Sequence, residues 1–307
     1  VRAPSDDTRS GLIFGTSAYL LWGLFPLYWP LLEPAGTIEI LAQRMVWSFV
    51  VMVLLLRFTG GFGGVRRILA DRRQRTFLVA AALLVSFNWG TYIYGVNTKH
   101  VVETSLGYFI NPLFTIMLGV IVLREQLRRL QWVAVGIGAA AVAVIAVDYG
   151  RPPWIALVLA VSFGLYGFSK KQAAAPAADS LFVETGVQLV PAMVALAVLG
   201  GRGELEFGRQ ASTSALLAGA GVITVVPLLL FAASTRRLPL SLLGLLQYLT
   251  PVVQFAIGVG VRHEKLPSAE WVGFVMVWVA LIVLTYDGLR TQRTAARLAA
   301  AAESVAA

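Results

Sequence analysis

Glu39 with Gln43, and Glu184 with Gln188, set a carboxylate four residues before an amide inside apolar runs, so each pair shares one helix face. In such surroundings a carboxylate whose protonation differs between two states can gate a path or couple a proton to a movement. The plainer alternative is an interfacial carboxylate favoured by the positive end of its own helix, since both glutamates fall in the first turn of their expected spans. Arg44 lies deeper, about 9 Å along its helix from Ile38 at 1.5 Å per residue. It either snorkels outward or pairs with Glu39 or Glu103.

The machinery of a soluble enzyme is missing. The chain has no cysteine, which excludes disulfides, thiolate metal sites and cysteine nucleophiles. Its histidines are His100 and His263; His263-Glu264 does not continue into H-E-x-x-H, and no Ser or Thr has a histidine base nearby in sequence. Gly60, Gly61, Gly63 and Gly64 lack the lysine of a phosphate-binding loop and read as a flexible connection. No catalytic residue, metal or cofactor is expected, and ATP-driven pumping by this chain alone is disfavoured.

Polar and aromatic groups do fall near the middle of the apolar runs. Asn88, Trp89 and Tyr92 mark one such run, and Tyr108, Asn111 and Pro112 another. Gln247, Tyr248, Thr250 and Pro251 mark a third, while Trp22 and Ser162 with Tyr166 mark two more. Such groups are costly in hydrocarbon and tend to face a cavity or a partner, so they are candidate cavity lining. The alternatives are helix kinks at the prolines, and hydrogen bonds between helices for Asn88 and Asn111.

The elements that position these groups follow from composition. With 58% hydrophobic residues, 13% charged residues and a mean hydropathy of +0.76, the chain departs from a soluble globule, where about a quarter of residues are charged. Its partner is the lipid bilayer, and the net charge of +9 is a matter of topology rather than of nucleic acid. A bilayer core needs roughly 17–25 apolar residues per helix. Ten runs are expected, at 11–31, 38–56, 77–97, 102–123, 131–147, 154–170, 181–199, 214–234, 241–261 and 271–287. The first reads as a retained span and not a cleaved leader. The runs at 131–147 and 271–287 have little mid-depth polarity and read as packing helices. Arg57, Arg66, Arg67, Arg72, Arg73 and Arg75 crowd one connection, and Lys and Arg predominate throughout on that side, which places both termini in the cytoplasm.

The chain also repeats itself. Pro112, Glu125, Trp132 and Asp148 recur as Pro251, Glu264, Trp271 and Asp287 at a constant offset, 251 − 112 = 139 residues. The expected halves are 1–150 and 151–287, followed by a cytoplasmic tail over 288–307. Five spans per half is an odd number, so the copies would be inverted across the membrane and could give two related conformations, one open to each side. Glu125 and Glu264 read as interfacial ion pairs, and Asp148 and Asp287 as helix-end anchors.

Glu103-Thr-Ser-Leu-Gly-Tyr-Phe-Ile-Asn-Pro112, followed by Arg124-Glu125 and Gln131-Trp132, resembles the RarD group of EamA-type permeases in the drug/metabolite transporter superfamily. Gln247-Tyr248 to Pro251, Trp22-Gly23 and Glu39 to Trp47 fit the same group, and the resemblance covers most of the chain. It implies an all-α polytopic protein of the bacterial cytoplasmic membrane, with ten transmembrane helices in two inverted five-helix repeats around a central cavity. The expected function is secondary transport of a small organic solute, in the direction of export, with protons as a candidate coupling ion. A facilitative channel and a non-transporting scaffold are the alternatives; substrate and oligomeric state stay open.

Overall fold

Apolar runs condense into helices because a backbone that leaves water must satisfy its own hydrogen bonds. In the computed structural model, which describes residues 6–98, 100–149, 152–261, 271–273, 275–283, 286–287 and 290, no strand occurs among the described residues. The first half holds α1 (Asp6–Gly23), α2 (Phe25–Tyr28) continued by a 3-10 turn (Trp29–Leu32), α3 (Thr37–Thr59), α4 (Gly63–Ala70), α5 (Arg72–Asn97), α6 (Val101–Met117) continued by a π-helical turn (Leu118–Val122), and α7 (Arg129–Tyr149). The second holds α8 (Trp154–Ala173), α9 (Ala177–Gly201), α10 (Ala211–Thr235), α11 (Leu240–Gln247) and α12 (Leu249–Gly260). Among the described residues, six helical segments are long and apolar enough to cross a membrane: Asp7–Leu32, Thr37–Thr59, Arg72–Gly95, Ala177–Gly201, Ala211–Thr235 and Leu240–Ile257. Shorter apolar helices cover Leu106–Val122, Arg129–Val144 and Trp271–Val283.

Large apolar side chains cover the outside as well as the inside. Phe58, Ile121, Val147, Val190, Val194 and Ile282 are exposed, a surface suited to lipid tails rather than to water. The protein is a multi-pass membrane protein on these grounds.

Prolines divide the long runs. Pro251 cannot donate to the carbonyl of Gln247, and the run at 241–261 is split at Tyr248 into α11 and α12. Pro26 has the same effect after α1, where the chain turns at Leu24 into α2. Pro112 sits inside α6, which ends in the π-helical turn. Of the glycine-rich stretch expected to be a flexible connection, Gly60 and Gly61 form the turn after α3, with Gly61 at a positive φ of 72°, while Gly63 and Gly64 begin α4, whose Val65 and Ile68 are buried.

The two halves are packed into one another. α3 lies against α9 and α10, α5 and α6 against α8, α1 against α10 and α12, and α6 against α11. At one end of the bundle, polar ties close the crossings. Ser234 Oγ donates to the Gly11 carbonyl at 2.8 Å, and Lys171 Nζ donates to the Leu238 carbonyl at 2.6 Å. Glu125, expected in an ion pair, instead accepts the Leu240 and Ser241 amides at 2.7 and 2.8 Å and so caps α11. Asp287 is buried and pairs with Arg128 at 2.5 Å. Glu264 and the Asp148 side chain lie outside what is described.

Candidate functional site

A cavity of about 160 Å³ opens between the helices. α1, α2, α3, α5 and α6 supply one part of its wall, and α8, α10, α11 and α12 the other. The site residues found on it are Trp22, Arg44, Asn88, Trp89, Tyr92, Tyr108, Asn111 and Gln247, together with Thr250. Tyr19, Phe25, Pro26, Trp29, Phe163 and Gln254 also line it. These were missed because Phe25 and Trp29 sit at the end of a run, where aromatics are ordinary interfacial residues, and Phe163 is apolar among apolar neighbours.

Its floor is aromatic. Trp22 meets Tyr19, Phe231 and Phe163 at centroid distances of 5.4, 5.6 and 5.9 Å. Asn88 Nδ2 is spent on the fold, donating to the Leu159 carbonyl at 2.8 Å and to Ser162 Oγ at 2.9 Å. Tyr92 and Tyr108 meet edge-on at 6.1 Å. Arg44 stands between two indoles, its guanidinium carbon 4.6 Å from the Trp29 ring centroid and 4.5 Å from that of Trp89.

Five expected lining residues lie elsewhere, among them Ser162, which is buried and accepts a hydrogen bond from Asn88 Nδ2. Tyr166 is fully buried and stacks on Phe231 at 5.5 Å, because Phe163, three residues earlier on α8, takes the cavity-facing position. Tyr248 is also fully buried and turns its hydroxyl towards Gly138 of α7. Pro112 faces Gly244 of α11, and Pro251 is buried in α12.

The expected gate residues likewise stand off the cavity, apart from Arg44. Glu39 is buried and accepts the Glu206 amide at 3.0 and 3.1 Å and the Phe207 amide at 2.8 Å, pinning the α9–α10 connection. Gln43 accepts from Trp47 Nε1 at 3.0 Å. Glu184 is not in a first turn: α9 begins at Ala177, so Glu184 lies two turns inside and is paired with Lys170. Lys170 also donates to Ser180 Oγ at 2.8 Å, and Gln188 is buried one turn beyond Glu184. Arg44 neither snorkels nor pairs with Glu39 or Glu103. Its Nε donates to Thr224 Oγ1 at 3.1 Å, while Glu103 accepts the Ile155 amide at 2.6 Å.

Comparison with known proteins agrees with this architecture. The EamA-like transporter family matches twice, over residues 9–147 and 152–286. Protein RarD of Streptomyces exfoliatus is 50% identical over 302 residues, covering 98% of this chain and 96% of that one. The uncharacterized transporter YojE of Bacillus subtilis is 41% identical, covering 94% and 97%. A solved crystal structure shares the fold with a TM-score of 0.70 at 17% identity, over 92% of this chain and 99% of the other. Two family segments filling the chain, with relatives of RarD type along nearly its whole length, make it a RarD-type member of the EamA-like transporter family.

Proposed function

We propose that this protein is a secondary transporter that exports small organic solutes across the bacterial cytoplasmic membrane by alternating access. Ten spans in two inverted five-helix repeats, over 1–150 and 151–287, rock about the cavity between them, and the tail over 288–307 stays in the cytoplasm. The observation that carries this is a cavity walled by helices of both halves while one end of the bundle is tied shut. The ties gather at the start of α1 and α11 and the end of α8 and α10. Arg44, Tyr108 and Trp29 lie towards the opposite end. With basic connections in the cytoplasm, the tied end is cytoplasmic and this conformation faces outward. A closed end speaks against a permanently open channel. The cavity's volume is near that of the ~150 Å³ cavity known to take benzene, which supports a solute of about one ring. Lys170 and Glu184 serve as a gate at the tied end, and proton coupling at Glu184 would require that pair to separate.

Flux into liposomes tests the function. With a solute chosen by a thermal-shift screen, Ala at Trp22, Trp89, Tyr108 or Asn111 is expected to weaken apparent affinity about tenfold or more. That corresponds to about 1.4 kcal/mol of lost contact. Unchanged transport in all four would remove the cavity from the mechanism.

Orientation has a separate check, made clean by the lack of native cysteine. Gly64 abuts the Asp179 carboxylate, whereas Gly63 has open space around it. In intact cells Gly63→Cys should be shielded from an impermeant thiol reagent and Glu204→Cys should label. The reverse pattern would invert the topology.

A further inference from the structure

Arg44 supplies a positive charge to the cavity wall, and no Asp or Glu lines that cavity among the described residues. The two carboxylates that the sequence offers as partners are engaged by backbone amides, Glu39 by those of Glu206 and Phe207 and Glu103 by that of Ile155. An intramembrane cation without a counter-charge is expensive, and such groups usually mark a ligand path. The protein holds Arg44 by other means. Trp29 and Trp89 sandwich the guanidinium at 4.6 and 4.5 Å, and Thr224 takes its Nε hydrogen at 3.1 Å. Of the five guanidinium N–H groups, the four on the terminal nitrogens make no hydrogen bond to protein among the described residues. They form the planar fork that matches a carboxylate with two parallel hydrogen bonds. Tyr92 and Tyr108 line the same cavity as Arg44. Asn111 contributes a carbonyl oxygen that Thr115 approaches only weakly, at 3.5 Å.

We infer that Arg44 is an anion-recognising subsite and that the transported solute is an organic anion, a carboxylate carried on one aromatic or similarly flat apolar body. The carboxylate meets the Arg44 fork, and the ring lies on the aromatic floor around Trp22. The assignment rests on the transport function proposed above. It excludes organic cations as preferred solutes, because they would meet an unscreened positive charge.

The test is binding, measured apart from flux. Benzoate, benzamide and benzylammonium share a ring and differ in charge, and each is titrated calorimetrically into the purified detergent-solubilised protein. Benzoate is expected to bind at least tenfold more tightly than benzamide, and benzylammonium least. Arg44→Gln should abolish the preference of benzoate over benzamide, and Arg44→Lys should restore part of it, since Lys keeps the charge without the fork. Equal binding of the three probes to the wild type, or binding of none, would overturn the inference without recourse to any variant. So would a benzoate preference that survives in folded Arg44→Gln. Loss of flux for every solute, with the benzoate preference intact, would instead sink the transport function and leave the subsite standing.

Discussion

Lys170→Met is expected to remove most of the folded protein. Lys170 and Glu184 are each about 2% exposed and face one another between α8 and α9, with Ser180 as the further acceptor for the ammonium. Two charges taken out of water together are tolerable; one left behind is not. Breaking such a pair typically costs about 3–5 kcal/mol, comparable to the whole stability of many domains. Replacing both partners by apolar residues of similar volume is often neutral or better. Lys170→Met alone should therefore collapse the monodisperse peak in size-exclusion chromatography and lower the melting temperature. Lys170→Met with Glu184→Leu should recover most of both. A double variant as unstable as the single one would mean that the pair itself stabilises the fold. If the pair also gates the tied end, the recovered double variant should shift accessibility of cysteines there towards the open form.

Gly221→Leu should be comparably damaging, for a steric reason. A Cβ at Gly221 would lie 2.5 Å from the backbone carbonyl carbon of Trp47 and 2.6 Å from its Cβ. Backbone cannot rotate away as a side chain can, so α3 and α10 would have to separate. Close approach through small residues is the ordinary way helices associate in lipid, where packing replaces the hydrophobic drive. Overpacking of this kind costs about 1–3 kcal/mol, and more when a helix pair must move. Gly221→Ala should already lower the melting temperature, Gly221→Leu should abolish folded protein, and Gly136→Ala, with open space at its Cβ, should behave as wild type. Indistinguishable melting of Gly221→Ala and Gly136→Ala would contradict the α3–α10 crossing. The parting of α3 from α10 would also disturb Arg44, which is bonded to Thr224 on α10 three residues from Gly221.

Glu39 and Glu125 illustrate where residue types stop being informative. Each looked like a carboxylate in search of a charge or a proton. Each is instead held by backbone amides, Glu39 by the α9–α10 connection and Glu125 by the first residues of α11. Every non-proline residue carries an amide N–H, so no side-chain pattern announces which one will be the partner. Lys170 shows the same limit. Its charge was legible, but its burial against Glu184 was not, because that depends on how α8 meets α9.

Composition and run length by themselves determined that this chain lives in a membrane and is built of helices. These follow from the cost of placing charge and unpaired backbone in hydrocarbon, which acts on each segment separately. Spacing likewise brought Asn88, Trp89, Tyr92, Tyr108 and Asn111 forward, since polar groups at mid-depth are rare enough to stand out. Only the tertiary structure decided which face of each helix turns inward. A helix apolar all round carries little directional signal, so nothing in α8 distinguishes Phe163 on the cavity from Tyr166 in the core. The same holds for Arg44, whose place between Trp29 and Trp89 depends on α2, α3 and α5 converging. That convergence is set by packing between segments distant in sequence, and not by any one of them alone.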